Sequence, residues 1–238
     1  MKRELALEEI RKGLDNRLLG RLTGSEVVVG RDANCSISLE NTAVSRYHGV
    51  FQGFQDHCFY KDLGSTNGSW LNGFPLVEGQ WRLVRAGDLM QIADVAVRII
   101  EASTEGPNVS AEGSKEKKDY SFIVFSNGAF LNEYPALQNG GSVTIGGAAA
   151  MLALDGFVDP KSCLTIESKG KSIVAQQHGV DGEVFLNGEP IVDSVTLVDR
   201  DILLLRHYSV IFNDPFRITG QIDSGWEDSD DPWSDDGP

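Results

Sequence analysis

The chain has 238 residues, a length that suits one large domain or two small ones. At 41% hydrophobic and 24% charged it has the composition of a soluble globular protein, and no apolar run approaches the roughly 20 residues that cross a bilayer as a helix, so membrane insertion is excluded as an expectation. Thirty-five acids against 21 bases leave a net charge of −14, which argues against general nucleic-acid binding, because a phosphate backbone needs a surplus of Lys and Arg facing it.

Leu7, Ile10, Leu14 and Leu18 recur at spacings of three and four, and this stripe predicts a short N-terminal amphipathic helix over 1–17. From about residue 18 the pattern changes to short β-type segments separated by Gly, Asn and Asp, among them Val27 to Val29, Gly49 to Phe54, Cys58 to Asp62, Ser69 to Leu71 and Val95 to Ile100. Strands every eight to twelve residues predict a β-sandwich over 18–102. Residues 103–119 are small, polar and aperiodic, as expected of a linker. A second sandwich is predicted over 120–217, with strands such as Phe122 to Phe125, Val143 to Ile145 and Leu164 to Glu167. The tail, 218–238, holds seven acids (Asp223, Glu227, Asp228, Asp230, Asp231, Asp235 and Asp236) and no base, and is read as disordered. The fold class expected is therefore all-β, with two sandwiches in tandem.

The two halves repeat one another. Val28-Val29-Gly30 corresponds to Thr144-Ile145-Gly146, Leu71-Asn72-Gly73 to Leu186-Asn187-Gly188, and Asp88-Leu89 to Asp201-Ile202, with the offset drifting only from 116 to 113. A duplicated domain is expected.

In the first half, polar groups gather at strand ends. Gly30-Arg31 closes one strand; Ser45-Arg46-Tyr47-His48 precedes another; Gly64-Ser65-Thr66-Asn67-Gly68 precedes a third; Asn72-Gly73 forms a hairpin turn. Arg, Ser, Arg, Thr and Asn on loops suit a phosphate, since guanidinium supplies a planar fork of donors, hydroxyls add short bonds and Gly admits backbone amides. An Asn beside it has both the donor and the acceptor that a peptide main chain needs.

These three blocks in order, over roughly residues 18–102, resemble the forkhead-associated (FHA) domain, a β-sandwich that binds phosphothreonine peptides through loops at one end. The resemblance implies that Arg31 and Ser45 bind the phosphate with Arg46 and Thr66 assisting, that Asn67 holds the peptide backbone, and that Gly30, His48, Gly68 and Asn72 shape the loops. It also implies a preference for phosphothreonine over phosphoserine and a partner phosphorylated on threonine, either a Ser/Thr kinase or its substrate. Carried into the second half, Arg31 falls on Gly147, Ser45 near Asp159, and Thr66-Asn67 on or beside Asp181-Gly182. The second sandwich is thus expected to be a degenerate FHA-like domain that packs or contacts a further protein, because a carboxylate in place of a phosphate ligand repels the anion.

The function expected is a phosphothreonine-reading signalling adaptor; the alternative is a phosphorylation-independent scaffold in a larger assembly. No P-loop, Rossmann glycine pattern, nucleophile elbow or metal-ligand spacing appears, so neither catalysis, cofactor nor metal is expected. Cys35, Cys58 and Cys163 are an odd number at no metal spacing, and Met1-Lys2-Arg3-Glu4-Leu5 lacks a signal-peptide core, so the cytoplasm is the expected compartment.

Overall fold

The computed structural model describes residues 4–22, 26–102, 120–135, 141–157, 162–170, 172–178 and 184–215. The predicted linker and acidic tail lie outside the described residues, as do Asp159, Asp181 and Gly182. The first half forms β1 (Leu5–Glu9), β2 (Arg17–Arg21), β3 (Glu26–Gly30), β4 (Ile37–Ser38), β5 (Gly49–Phe54), β6 (His57–Asp62), β7 (Ser69–Leu71), β8 (Phe74–Pro75), β9 (Arg82–Val84), β10 (Leu89–Ile92) and β11 (Val95–Glu101). The second forms β12 (Ser121–Ser126), β13 (Ala129–Pro135), β14 (Ser142–Gly146), β15 (Leu152–Ala153), β16 (Ser162–Lys169), β17 (Ser172–Gln177), β18 (Val184–Leu186), β19 (Glu189–Pro190), β20 (Ser194–Leu197), β21 (Ile202–Leu205) and β22 (Tyr208–Asn213).

Each half is a sandwich of a six-stranded and a five-stranded sheet. The orders β2-β1-β11-β10-β7-β8 and β4-β3-β5-β6-β9 recur strand for strand as β13-β12-β22-β21-β18-β19 and β15-β14-β16-β17-β20. The all-β tandem architecture and the duplication are as the sequence predicts. Both hairpins turn on Asn-Gly pairs with positive φ, Asn72 at 51° and Asn187 at 52°. In each repeat the same Asn also ties two loops. Asn72 Nδ2 donates to Asp88 Oδ1 (3.0 Å) and Asn72 Oδ1 accepts from Leu89 N (2.9 Å). Asn187 does the same with Asp201 (2.7 Å) and Ile202 N (3.0 Å).

The N-terminal helix is not formed. Residues 5–9 are a strand paired along β11, and 17–21 return beside them. A helix would bury Leu7, Ile10, Leu14 and Leu18 on one stripe; instead Ala6 and Leu7 are fully buried while Leu14 and Leu18 are 67% and 60% exposed. Without β1, the last strand of the repeat would be an edge with unpaired donors and acceptors, and satisfying that ladder outweighs a weak helical preference broken by Gly13, whose φ is +73°.

The sheets stack in four layers. One core lies inside each sandwich, centred on Val29, Phe51, Tyr60 and Ile99 in the first and on Ile145, Leu164, Val210 and Phe212 in the second. A third apolar layer joins the repeats: Val50, Phe59, Trp81 and Leu83 from the back of the first five-stranded sheet meet Ile123, Phe125, Ile202 and Ile211 from the back of the second six-stranded sheet. The register explains why these two faces meet. Across β12, β22 and β21 the row is Ile123, Ile211, Ile202; the equivalent row in the first repeat is Glu8, Arg98, Leu89. Across β5, β6 and β9 the row is Gln52, Phe59, Leu83; its equivalent in the second is Glu167, Val174, Thr196. One outer face of each repeat is apolar and the other more polar, so the stack closes at four layers.

Polar pairs border this layer. The guanidinium of Arg85 forks onto the Asp199 carboxylate, with one bond of 2.9 Å, and reaches Asn213 Oδ1 at 2.6 Å. Arg200 Nη1 donates to Asp88 Oδ1 at 2.9 Å. His57 meets Glu133 at 3.1 Å, and Trp81 Nε1 donates to Gly128 O at 2.7 Å. Arg200 has φ +70° where the first repeat has Gly87 at +93°. A left-handed non-glycine residue costs roughly 1–2 kcal/mol, and the bond to the buried Asp88 acts against that cost.

Arg85→Ala removes the forked partner of the buried Asp199 carboxylate, which keeps only Asp214 N and Arg200 Nε, and should lower the stability of the full chain by about 2–3 kcal/mol. Chemical denaturation with paired probes in the two repeats checks this; an unchanged midpoint would mean that the pair contributes nothing.

Candidate functional site

Three loops converge at one end of the first sandwich because their backbones are tied together. Arg31 N donates to Ser45 O (3.0 Å), Asp32 N to Arg46 O (3.2 Å), His48 N to Val29 O (2.9 Å) and Leu63 N to His48 O (3.0 Å). Gly30 is required by contact rather than by φ: a Cβ there would lie 2.2 Å from the carbonyl oxygen of Arg46. Gly68, by contrast, turns with φ +74°.

His48, fully buried, is the brace between two of these loops. Its Nδ1 accepts from Ser45 N (3.2 Å), so that nitrogen carries no proton, and its Nε2 donates to Gly68 O (3.0 Å). Burial holds the imidazole below its ordinary 6.5, with the Gly68 bond and the Asp62 charge opposing.

The third loop is shaped by a residue to which the sequence reading gave no role. Asp62 Oδ1 accepts from Gly64 N (2.9 Å) and Ser65 N (2.8 Å), and Oδ2 accepts from Ser65 Oγ (2.8 Å) and Ser69 Oγ (2.6 Å). Burial pushes this carboxyl up, but the bonds from Ser65 and Ser69 and the nearby His48 outweigh it and hold it below the usual range. Tyr60 completes the chain with a 2.8 Å bond between its hydroxyl and Ser69 Oγ. A Cβ at Gly49 would lie 2.1 Å from that hydroxyl, so Gly49 makes room for it. Asp62 stands at the end of β6 beside a Gly-Ser run, a local signal for an Asx turn that a sequence reading can use.

On this frame the predicted residues divide in two. Ser45, Thr66 and Asn67 are brought together: Thr66 N donates to Ser45 Oγ (3.0 Å), the two hydroxyl oxygens are 3.4 Å apart, and Asn67 Nδ2 donates to Ala43 O (2.7 Å). Arg31 and Arg46 are exposed on the adjoining loop ends. Neither guanidinium makes an ion pair or side-chain hydrogen bond with any described residue. Asp32 sits between them, its carboxyl held below the ordinary range first by Asn34 N, then by the Asn34 side chain, with the fields of Arg46 and Arg31 adding. Asn72 is not at this end; it closes β7 at the far side, on the brace to Asp88. In the second repeat the positions of Arg31, His48 and Asp62 are occupied by Gly147, Cys163 and Gln177. Among the described residues no group of three His, Cys, Asp or Glu side chains is placed to hold a metal ion.

Fold and site together define a tandem β-sandwich protein that presents one cluster of cationic and hydroxyl side chains at a loop end. Residues 27–93 match the family model of the FHA domain, so the first repeat is an FHA domain and the chain an FHA-domain protein. That family comprises phosphothreonine-peptide-binding modules. Solved structures similar to the chain include the FHA domain of an Arabidopsis thaliana hypothetical protein, at 25% identity, 45% of this chain, 92% of that one and a TM-score of 0.39. Another is the FHA domain of the CT664 protein of Chlamydia trachomatis, at 21% identity, 42% of this chain, 99% of that one and a TM-score of 0.36. A third is Mycobacterium tuberculosis EmbR in complex with a low-affinity phosphopeptide, at 25% identity, 44% of this chain, 26% of that one and a TM-score of 0.37. Comparison with curated proteins finds no match.

Because His48 is held neutral, the unfolded chain binds a proton that the folded chain refuses between pH 6.5 and the lower folded value. The stability contributed by neutral His48 is complete above 6.5 and lost as pH falls through that folded value. Nitrogen-15 NMR of the imidazole should show the Nε2–H tautomer persisting below pH 6.5; titration at an ordinary value would contradict the brace.

Proposed function

We propose that the first repeat reads phosphothreonine on a partner protein and that the chain works as a phosphorylation-dependent adaptor in signalling. The observation that carries this is the pair of guanidinium groups, Arg31 and Arg46, that make no ion pair or hydrogen bond with any described carboxylate, held beside the Ser45 and Thr66 hydroxyls by backbone bonds between their own loops. A dianionic phosphate supplies the charge and acceptors that such a cluster lacks. In this reading Arg31 and Ser45 take the phosphate, with Arg46 and Thr66 assisting. Ser45 Oγ accepts from Thr66 N and donates to Thr66 Oγ1 over a long 3.4 Å, a bond that a phosphate oxygen can replace. Asn67 uses its amide nitrogen on Ala43 O, which leaves Oδ1 to accept from a peptide N–H. Asp32 limits the positive field to the immediate pocket and works against binding of long polyanions.

The partner is a threonine-phosphorylated protein, a Ser/Thr kinase or its substrate, and the compartment is the cytoplasm, in keeping with three cysteines that form no disulfide. The protein is not an enzyme in this reading; the FHA family is one of binding modules, and the site offers ligands for an anion without a nucleophile activated by a base.

A charge-assisted bond of the kind Arg31 makes is worth roughly 1.5–3 kcal/mol, so Arg31→Ala should weaken a phosphothreonine peptide about tenfold to a hundredfold. Titration of the full chain with phosphorylated and unphosphorylated peptides tests it. Equal binding of the two peptides by the parent would leave the scaffold role instead.

A further inference from the structure

We propose that the second repeat is a positioning body for the phosphate loops of the first, acting through Phe125; this rests on the phosphothreonine reading above. The link is the alternation of side chains along β6. Phe59 and Lys61 point to the second repeat, while Tyr60 and Asp62, between and beyond them, point inward to Ser69 and to the loop that carries Thr66 and Asn67. Phe125 sits among Phe59, Phe54, Phe130 and Trp81, with ring centroids 5.3, 5.5, 5.8 and 6.3 Å away. Trp81 in turn carries the Lys61 ammonium 4.2 Å over its ring. On β5 the same clamp holds Val50, two residues after the His48 brace. Both strands that deliver the buried organisers of the site, His48 and Asp62, are therefore held from behind by the second repeat.

The equivalent row of the first repeat, Glu8, Arg98 and Leu89, lacks this apolar character. Phe125 and Ile123 lie on the face of the second repeat that points away from its own core, and their counterparts in the first repeat's sheet include the charged Glu8. The second repeat has other residues at the positions of Arg31, His48 and Asp62, and its back is the apolar partner of the first. A repeat without the site's residues but with this face is what a body that orders its neighbour's site requires.

The test uses the full chain, a degenerate peptide library centred on phosphothreonine with its unphosphorylated counterpart, and amide hydrogen exchange, all well below each variant's melting temperature. Phe125→Ala should weaken phosphopeptide binding about tenfold, within the range of packing-mediated coupling. It should also speed exchange at the Ser65 and Thr66 amides, which Asp62 and Ser45 hold, and leave β16 and β17 protected. Phe125→Met, which refills the space, should restore both. Unchanged affinity and unchanged exchange at Ser65 and Thr66, even with a lower melting temperature, would overturn the proposal and leave the second repeat as a cover. If the parent shows no preference for the phosphorylated library, the binding reading fails, and the exchange at Ser65 and Thr66 still decides the positioning role.

Discussion

The apolar layer between the repeats is the constraint on which the rest of the molecule depends. Two of the four sheets are covered on both faces, so their strands carry apolar side chains in succession rather than in alternation. β12 is buried at Ser121 through Phe125 without a break, and β5 is buried at Gly49, Val50 and Phe51. Fully burying a large apolar side chain contributes roughly 1.5–3 kcal/mol, and eight core residues meet in this layer. The ion pairs at its border are worth less net, because each carboxylate and guanidinium gives up hydration to form them. They fix which loop of one repeat faces which loop of the other; the aromatic layer supplies the cohesion.

Much of the fold and of the site was legible because it is local. Gly30-Arg31, Ser45 to His48 and Gly64 to Gly68 are contiguous blocks whose residues act on loops only a few positions long, and the Asn-Gly hairpins declare themselves through their need for positive φ. The duplication was legible for the same reason. What failed was nonlocal. Residues 5–9 carry a pattern that fits a helix as well as a strand, and only the unpaired ladder of β11, some ninety residues on, decides between them. A signal did exist: Leu7 is the counterpart of Phe122, which the sequence does read as strand, so extending the repeat toward the N-terminus would have placed a strand there.

The role of Asp62 and the third apolar layer were hidden for different reasons. Asp62 binds four partners, but two of them are serine hydroxyls, and serines near an aspartate are too common in loops to signal a buried network. The layer was visible as consecutive apolar pairs, Val50-Phe51 and Phe59-Tyr60, yet periodicity reports only that a strand is buried twice and not what lies on its second face. Comparing the two repeats row by row resolves it, since Ile123-Ile211-Ile202 against Glu8-Arg98-Leu89 shows which copy of the same surface is apolar enough for contact.

The electrostatics follow from this division of labour. A phosphate site must keep positive charge exposed, and in a chain of net charge −14 that charge is easily compensated by neighbouring carboxylates. Here the carboxylates near the site take their hydrogen bonds from neutral groups and none from Arg31 or Arg46. Asp62 is turned inward onto amides and hydroxyls, and Asp32 is held by Asn34 beside the arginines. The interface carboxylates, Asp88, Asp199 and Glu133, are committed to Arg200, Arg85 and His57. Every one of those three contacts crosses between the repeats, and each sets a carboxylate of one repeat against a basic side chain of the other. Arg31 and Arg46 act on Asp32 through their fields alone, since its bonds go to Asn34.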